Sequence, residues 1–406
     1  MNNNKFYFFL TFWVIAISGN PAINVLGKEF VLILSVTLFI IIWAVRPNKL
    51  TSEDKVIVGT FVLLVALHAI IFGTLVVSAS LGFLIKLVIA LLSIRLIPEF
   101  SRRYVSVIYL LSIISLVFFI PLSFGVNMQE LMAEMRLPVN DHFHIGIYNL
   151  REEFDGSIRN MGMFWEPGAF AGYLILALFF LIRDRNYHTV LSTKGLVIIV
   201  TLLSTQSTTG YVAFMVLVIL YSFEANWMRS RFGKWILIPL FPIVFISFSL
   251  VIFSQASFLS EKITNQIKSA SYREDASRIN RFGNFLYDVE WIAERPIIGW
   301  SANPETRASS NPEVLDLVAG QGNGLTGFTV RFGLIGLILF LGLFANNTRR
   351  IAGARIAAFG GGVVCILLTG EQFLNFPIFL TLMFLPHGIE TLSRSHSTSQ
   401  IITVSP

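Results

Sequence analysis

Apolar runs long enough to cross a bilayer recur along almost the whole chain, separated by short polar stretches. About 30 Å of hydrocarbon at about 1.5 Å per residue takes roughly 20 residues of helix. The pattern predicts spans near 6–24, 28–45, 56–77, 80–98, 104–124, 164–182, 191–204, 210–223, 235–253, 325–345, 352–368 and 373–389. That describes an all-α, polytopic helical membrane protein of about 12 transmembrane helices, a single integral membrane domain over 1–406. Two long segments interrupt the spans, 125–163 and 254–324, and connections of that length in a compact bundle are usually functional. The second contains an amphipathic stretch, 276–293. There Ile279, Phe282, Leu286, Val289 and Ile292 share one face, while Arg278, Arg281 and Asp288 fall largely elsewhere. Such a helix would lie along the membrane surface as a lid.

Composition agrees with the pattern: 54% of the 406 residues are hydrophobic, 13% are charged and the mean hydropathy is +0.71, which excludes a water-soluble fold. The net charge of +6 would suit nucleic acid, but no aromatic-basic module accompanies it, so no nucleic-acid partner is expected. The distribution of charge says more. Segments 46–55, 99–103, 183–194, 224–234 and 346–355 each carry Lys or Arg, whereas the opposite short loops 77–79, 205–209 and 369–372 carry none. The positive-inside rule then puts both termini and the 390–406 tail in the cytoplasm, and both long segments outside. Lys5 and the apolar run after it resemble a signal peptide, but no small-residue cleavage site follows, so the run reads as a retained first helix. The single cysteine, Cys365, allows neither a disulfide framework nor a cysteine metal site.

Candidate chemistry gathers on the outer side. Glu166-Pro167 stands where the sixth helix should begin, because a proline at the first helical position forfeits no hydrogen bond. Arg151 and Arg159 precede it and give a cationic approach to a helix N-terminus that itself favours anions. The plain alternative is that Glu166 complements the helix dipole and pairs with Arg159. In the second long segment, Arg273, Arg278, Arg281 and Arg295 cluster, and arginine forks match phosphate oxygens, so an anionic ligand such as a lipid pyrophosphate is suggested. A solvated face paired with nearby acids is the competing reading. Within the spans, Lys86 and Arg331 each sit about two turns below an outer helix end, where they would line a cavity or snorkel to the interface. Arg95 is close enough to the cytoplasmic end to snorkel. Ser204 to Gly210, STQSTTG, reads as a polar hairpin turn or a sugar-binding one. His142, His144 and Asp141 fall short of a metal site. No Walker A loop, GxSxG elbow or dinucleotide fingerprint is present, so any energy must arrive with the substrate.

The stretches RNMGMFWEPGAFAGYL (159–174), LLSTQSTTGYVAF (202–214), ERPIIGWS (294–301) and GNGLTGFTVRFGLIG (322–336), in this order, resemble bacterial O-antigen polymerases of the Wzy type. The related O-antigen ligases carry a His-Asn pair, nine residues, then Gly-x-x-Gly. Asn323, Gly333 and Gly336 fit that spacing, but Gly322 stands in place of the histidine, which favours the polymerase branch. The resemblance implies a C-type glycosyltransferase (GT-C) fold in the bacterial inner membrane. It also implies polymerisation of undecaprenyl-pyrophosphate-linked oligosaccharide repeats at the periplasmic face, with no cofactor and no metal. For that reaction the candidate catalytic residues are Glu166, Arg159 and Arg278. Substrate binding falls to Arg151, Arg281, Arg295, Lys86, Arg331, Asn323 and Glu371, with Glu371 and then Glu290 as alternative bases. A chain-length regulator is a plausible partner besides the lipid bilayer. The rival readings are a ligase that transfers finished glycan to lipid A core or protein, and a flippase for the lipid-linked sugar.

Overall fold

The computed structural model describes residues 3–73, 76–127, 130, 133–137, 143–150, 158–224, 281–308 and 323–385. The long helices are α1 (Asn3–Gly19), α2 (Lys28–Val45), α3 (Ser52–Phe72), α4 (Val76–Leu96), α5 (Phe100–Ser123), α6 (Pro167–Arg183), α7 (Thr193–Ser204), α8 (Thr208–Glu224), α9 (Arg281–Glu294), α10 (Gly324–Ala352) and α11 (Ala354–Gly370). Five of them, α2, α3, α4, α5 and α10, are long and apolar enough to span a membrane by themselves; α6, α7, α8 and α11 are apolar but shorter. The protein is therefore a helical membrane protein. The predicted span 235–253, the tail 390–406 and most of the segment 254–324 lie outside the described residues.

Burial sorts the helices by depth. In α6 every residue except Gly168 is buried, the mark of a helix enclosed by protein on all sides. By contrast only 17% of α2 is buried, and Phe30, Ile33, Leu34, Ile40 and Ile41 form its exposed apolar face, as expected of a helix turned to lipid. The buried centre is joined by hydroxyls as well as by packing. Tyr173 of α6 donates to the Ser18 carbonyl of α1 at 2.8 Å, and Tyr104 of α5 donates to the Tyr173 carbonyl at 3.0 Å.

Polar contacts tie the ends of several helices together. At one pole Arg103 of α5 reaches Asn4 of α1, Arg350 of α10 reaches Glu53 of α3, and Arg355 of α11 reaches Glu224 of α8. The same pole holds a buried ion pair: Arg95 donates to Asp54 through Nη2 at 2.6 Å and Nε at 2.9 Å, with side-chain exposures of only 6% and 2%. Asp54 simultaneously closes a capping box with Thr51 at the start of α3. Arg95 thus does not snorkel to the interface, because a preformed carboxylate on the adjacent helix removes the reason to reach for water.

One other expectation is corrected, and two further features appear. First, the predicted last span, 373–389, is not a continuous helix over its described part: the chain folds as short turns Phe373–Asn375, Pro377–Leu380 and Thr381–Met383, and residues 377–385 are all buried. Hydropathy registers burial, and here the burial is among protein helices. Gly172 of α6 permits the approach, since a methyl there would stand 2.1 Å from the Phe373 ring. Second, the long segment 125–163 carries a short antiparallel ladder, β1 (Phe143–His144) with β2 (Asn149–Leu150). Third, the amphipathic helix packs on α10 through a polar contact. In α9, Asp288 is buried and accepts a 2.5 Å hydrogen bond from Thr326 of α10, while Phe285 and Val289 are exposed.

Replacing Arg95 with Ala should destabilise the fold by about 3–5 kcal/mol, because it strands a buried carboxylate. Thermal unfolding in detergent should show this loss and its partial recovery in Asp54→Asn/Arg95→Met. An Arg95→Ala protein as stable as wild type would mean that the pair is exposed in the bilayer.

Candidate active site

The other pole is built on a broken helix. α10 is interrupted at Gly333, whose φ of 65° and ψ of −175° leave backbone groups on both sides without helical partners. The segment 296–301 fills the break. The amides of Leu334 and Ile335 donate to the carbonyls of Pro296 at 2.8 Å and Ile297 at 3.2 Å, and those of Trp300 and Ser301 donate to Val330 at 2.7 Å and Arg331 at 3.0 Å. The fit requires glycine: a methyl at Gly333 would stand 2.0 Å from the Ile297 carbonyl, and one at Gly299 2.6 Å from the Gly333 amide nitrogen. Ser301, a buried non-glycine at φ 101°, holds a backbone conformation that costs about 1–3 kcal/mol. From α3, His68 meets the Ile298 carbonyl at 2.8 Å.

Beside the break lies a cavity of about 410 Å³. Three cations from three helices line it: Lys28 at the start of α2, Lys86 on α4 and Arg331 on α10. Further polar groups of the lining come from the turn after α11, which supplies Glu371, Gln372 and Asn375. Arg331 is aimed by two contacts: Nε donates to the Gly327 carbonyl at 2.9 Å and Nη1 donates to Asn375. Of the two outcomes considered for Lys86 and Arg331, the structure shows the cavity for both.

Glu166 stands next to this cavity. It is the residue before α6, with Pro167 at the first helical position, as the sequence predicts, but its side chain makes no capping hydrogen bond. A methyl at Gly168 would stand 3.0 Å from Glu166 Oε1, 3.4 Å from Glu371 Oε1 and 3.8 Å from Ser207 Oγ. The two carboxylates are therefore no further apart than the first two of those distances together. Glu371 lines the same cavity as Arg331 and Lys86.

The remaining candidates fall in distinct places. Arg159 donates through Nε to the Thr205 carbonyl at 3.2 Å and through Nη2 to the Gln206 carbonyl at 2.9 Å, which fastens the segment before Glu166 to the turn between α7 and α8. In that turn Ser204 and Thr205 donate to carbonyls one turn back, and Ser207 Oγ accepts from the Gly210 amide, the bonding of a polar hairpin. Asn323 caps α10 by accepting from the amides of Leu325 at 3.1 Å and Thr326 at 3.2 Å, so its oxygen serves the helix. Arg295 packs on the rings of Phe72 and Trp300, 4.8 and 4.7 Å from their centroids, and is not part of the cavity lining. Arg281 is the first residue of α9, and Arg151 and Arg278 lie outside the described residues.

Sequence reasoning missed Lys28, Trp165, Gln372, Asn375 and Phe376. It also missed a buried group behind the cavity, Asp288 with Arg307. Burial raises the Asp288 carboxyl above its ordinary range, against the opposing pull of the Thr326 hydrogen bond and of Arg307 and Arg331. Burial lowers Arg307 to about 10, so it remains a cation at neutral pH. Among the described residues, Arg307 Nε and Nη1 have no hydrogen-bond partner. Family models, curated proteins and solved structures yield no match to the chain.

A carboxyl with a raised folded-state pKa favours the protonated native form, so its contribution to stability falls as pH rises from its ordinary value through the raised one. The thermal stability of wild type relative to Asp288→Asn should therefore decline across that acidic-to-neutral window. A difference that is flat with pH would show that Asp288 titrates as it does in the unfolded chain.

Proposed function

We propose that the protein polymerises lipid-pyrophosphate-linked oligosaccharides by glycosyl transfer at the pole that carries the cavity. The observation that carries the reading is the convergence of Lys28, Lys86 and Arg331 from three helices on one cavity in which, among the described residues, Glu371 is the one carboxylate of the lining. Charges at membrane depth are costly, and three cations against one acid favour a multiply charged anion among them. A polyprenyl pyrophosphate supplies that charge and a lipid tail that keeps it at this depth. The resemblance of 159–174, 202–214, 294–301 and 322–336 to Wzy-type polymerases points the same way.

The reaction assigns each group a place. An acceptor sugar hydroxyl attacks the anomeric carbon of the donor chain and forms the new C–O bond as the bond to pyrophosphate breaks. Its proton passes to a carboxylate, Glu166 or Glu371, and the electron pair leaves with the pyrophosphate. Arg331, Lys86 and Lys28 stabilise the charge that develops there, and a single displacement inverts the anomeric centre. Arg159 acts by holding the segment that positions Glu166. The lysine and arginine residues at the opposite pole follow the positive-inside pattern, which supports a periplasmic site in an inner membrane.

The test is reconstitution of the purified protein with polyprenyl-pyrophosphate-linked repeat units. Wild type should give a ladder of glycan lengths, and Arg331→Met or Glu371→Gln should slow its formation about 10²-fold or more at equal protein level. Gly168→Val, which places bulk between the two carboxylates, should lower the rate with little change in thermal unfolding. Transfer of whole glycan to lipid A core without lengthening would favour the ligase, and movement of lipid-linked sugar across vesicles without new bonds would favour the flippase. A wild-type rate in both charge variants would remove the cavity from the mechanism.

A further inference from the structure

The charged half of the cavity accounts for only part of its lining. The rest consists of Ala79 and Ala302 with four aromatic residues, Phe83, Trp165, Phe332 and Phe376. Among the described residues no Leu, Ile, Val or Met takes part, although such residues dominate the buried core. A pocket for a prenyl tail would be expected to draw on those flexible and branched aliphatics, which follow a bent hydrocarbon chain closely. Flat rings set among amides and a carboxylate suit a different ligand, one that has an apolar face and a hydroxylated rim. Sugar rings have that form: axial C–H bonds lie on one face and hydroxyls project from the edge.

Two of the four aromatics are placed for this task. Phe83 and Phe332 are buried and pack on each other, with ring centroids 4.3 Å apart, as the floor of the cavity. Trp165 and Phe376 are only half-buried, with centroids 4.8 Å apart and planes inclined by 32°. Trp165 immediately precedes Glu166, and Phe376 follows Asn375, the residue that orients Arg331. The pair is thus contributed by the two chain segments that carry Glu166 and Asn375, and both rings line the cavity. Resting on the reading proposed above, we propose that Trp165 and Phe376 form a shelf that stacks the apolar face of the donor's pyrophosphate-linked sugar. Gln372 and Asn375 lie in reach of that sugar's hydroxyls. The prenyl tail leaves the cavity towards lipid instead of lying on the rings. Stacking on a C–H face tolerates many sugars, so the shelf sets ring orientation more than sugar identity.

The experiment compares two soluble probes, farnesyl pyrophosphate and farnesyl-pyrophosphoryl-N-acetylglucosamine, binding to wild type, Trp165→Leu, Trp165→Tyr and Phe376→Leu in lipid nanodiscs. Wild type should bind the sugar-bearing probe more tightly. The two leucine variants should lose about tenfold for that probe and little for farnesyl pyrophosphate, and Trp165→Tyr should retain most of the difference. Binding of the sugar-free probe also reports that each variant is folded. Equal losses for both probes would overturn the shelf and assign the rings to the lipid or to packing. No preference for the sugar-bearing probe in wild type would overturn it as well, with the pyrophosphate site intact. Failure of wild type to bind either probe would overturn the pyrophosphate reading itself, and the shelf with it.

Discussion

The break in α10 is the constraint on which the cavity pole depends. A helix interrupted at membrane depth exposes amides and carbonyls that lipid cannot satisfy, so the break survives only where other backbone supplies partners. Here the partners are Pro296, Ile297, Trp300 and Ser301, and the close fit leaves no room for a side chain at Gly299 or Gly333. Arg331 lies two residues before the break, and its own carbonyl is one of those satisfied by the inserted segment. The position of the cation is thus tied to backbone hydrogen bonds, which are stiffer than a long side chain resting in a groove.

A second irregular segment faces the first. After α11 the chain turns at Glu371 and descends through buried short turns instead of a helix, and Gly324 at the start of α10 packs directly on the Glu371 backbone. The cavity lies between these two non-helical stretches. Regular helices present side chains at fixed angular intervals, whereas turns can place Glu371, Gln372 and Asn375 on one wall within five residues. The buried α6 provides the rigid backing, and Trp165 and Glu166 immediately precede its first turn.

Much of this was legible in the sequence, for identifiable reasons. Hydropathy located most of the described helices, and Pro167 marked the start of α6 because a proline at the first helical position gives up no hydrogen bond. Lys86 and Arg331 were conspicuous because a lone charge in an apolar run needs a cause. What escaped was what depends on distant partners. Arg95 has a partner 41 residues away, Asp288 turns inward to meet Thr326, and Trp165 meets Phe376 from the far end of the chain. Lys28 looked like an ordinary residue at a helix start, since nothing local shows that α2 ends at a cavity. The buried turns of 373–385 have the composition of a span and differ only in what surrounds them.

The Arg95–Asp54 pair also bears on how the protein enters the membrane. Each partner would be costly for a single helix passing into lipid, and each carries its own remedy only when α3 and α4 are together. Two residues separated by 41 positions on neighbouring helices become available to each other once α4 has left the ribosome. The two helices are thus suited to insertion as a pair in which each charge meets its partner.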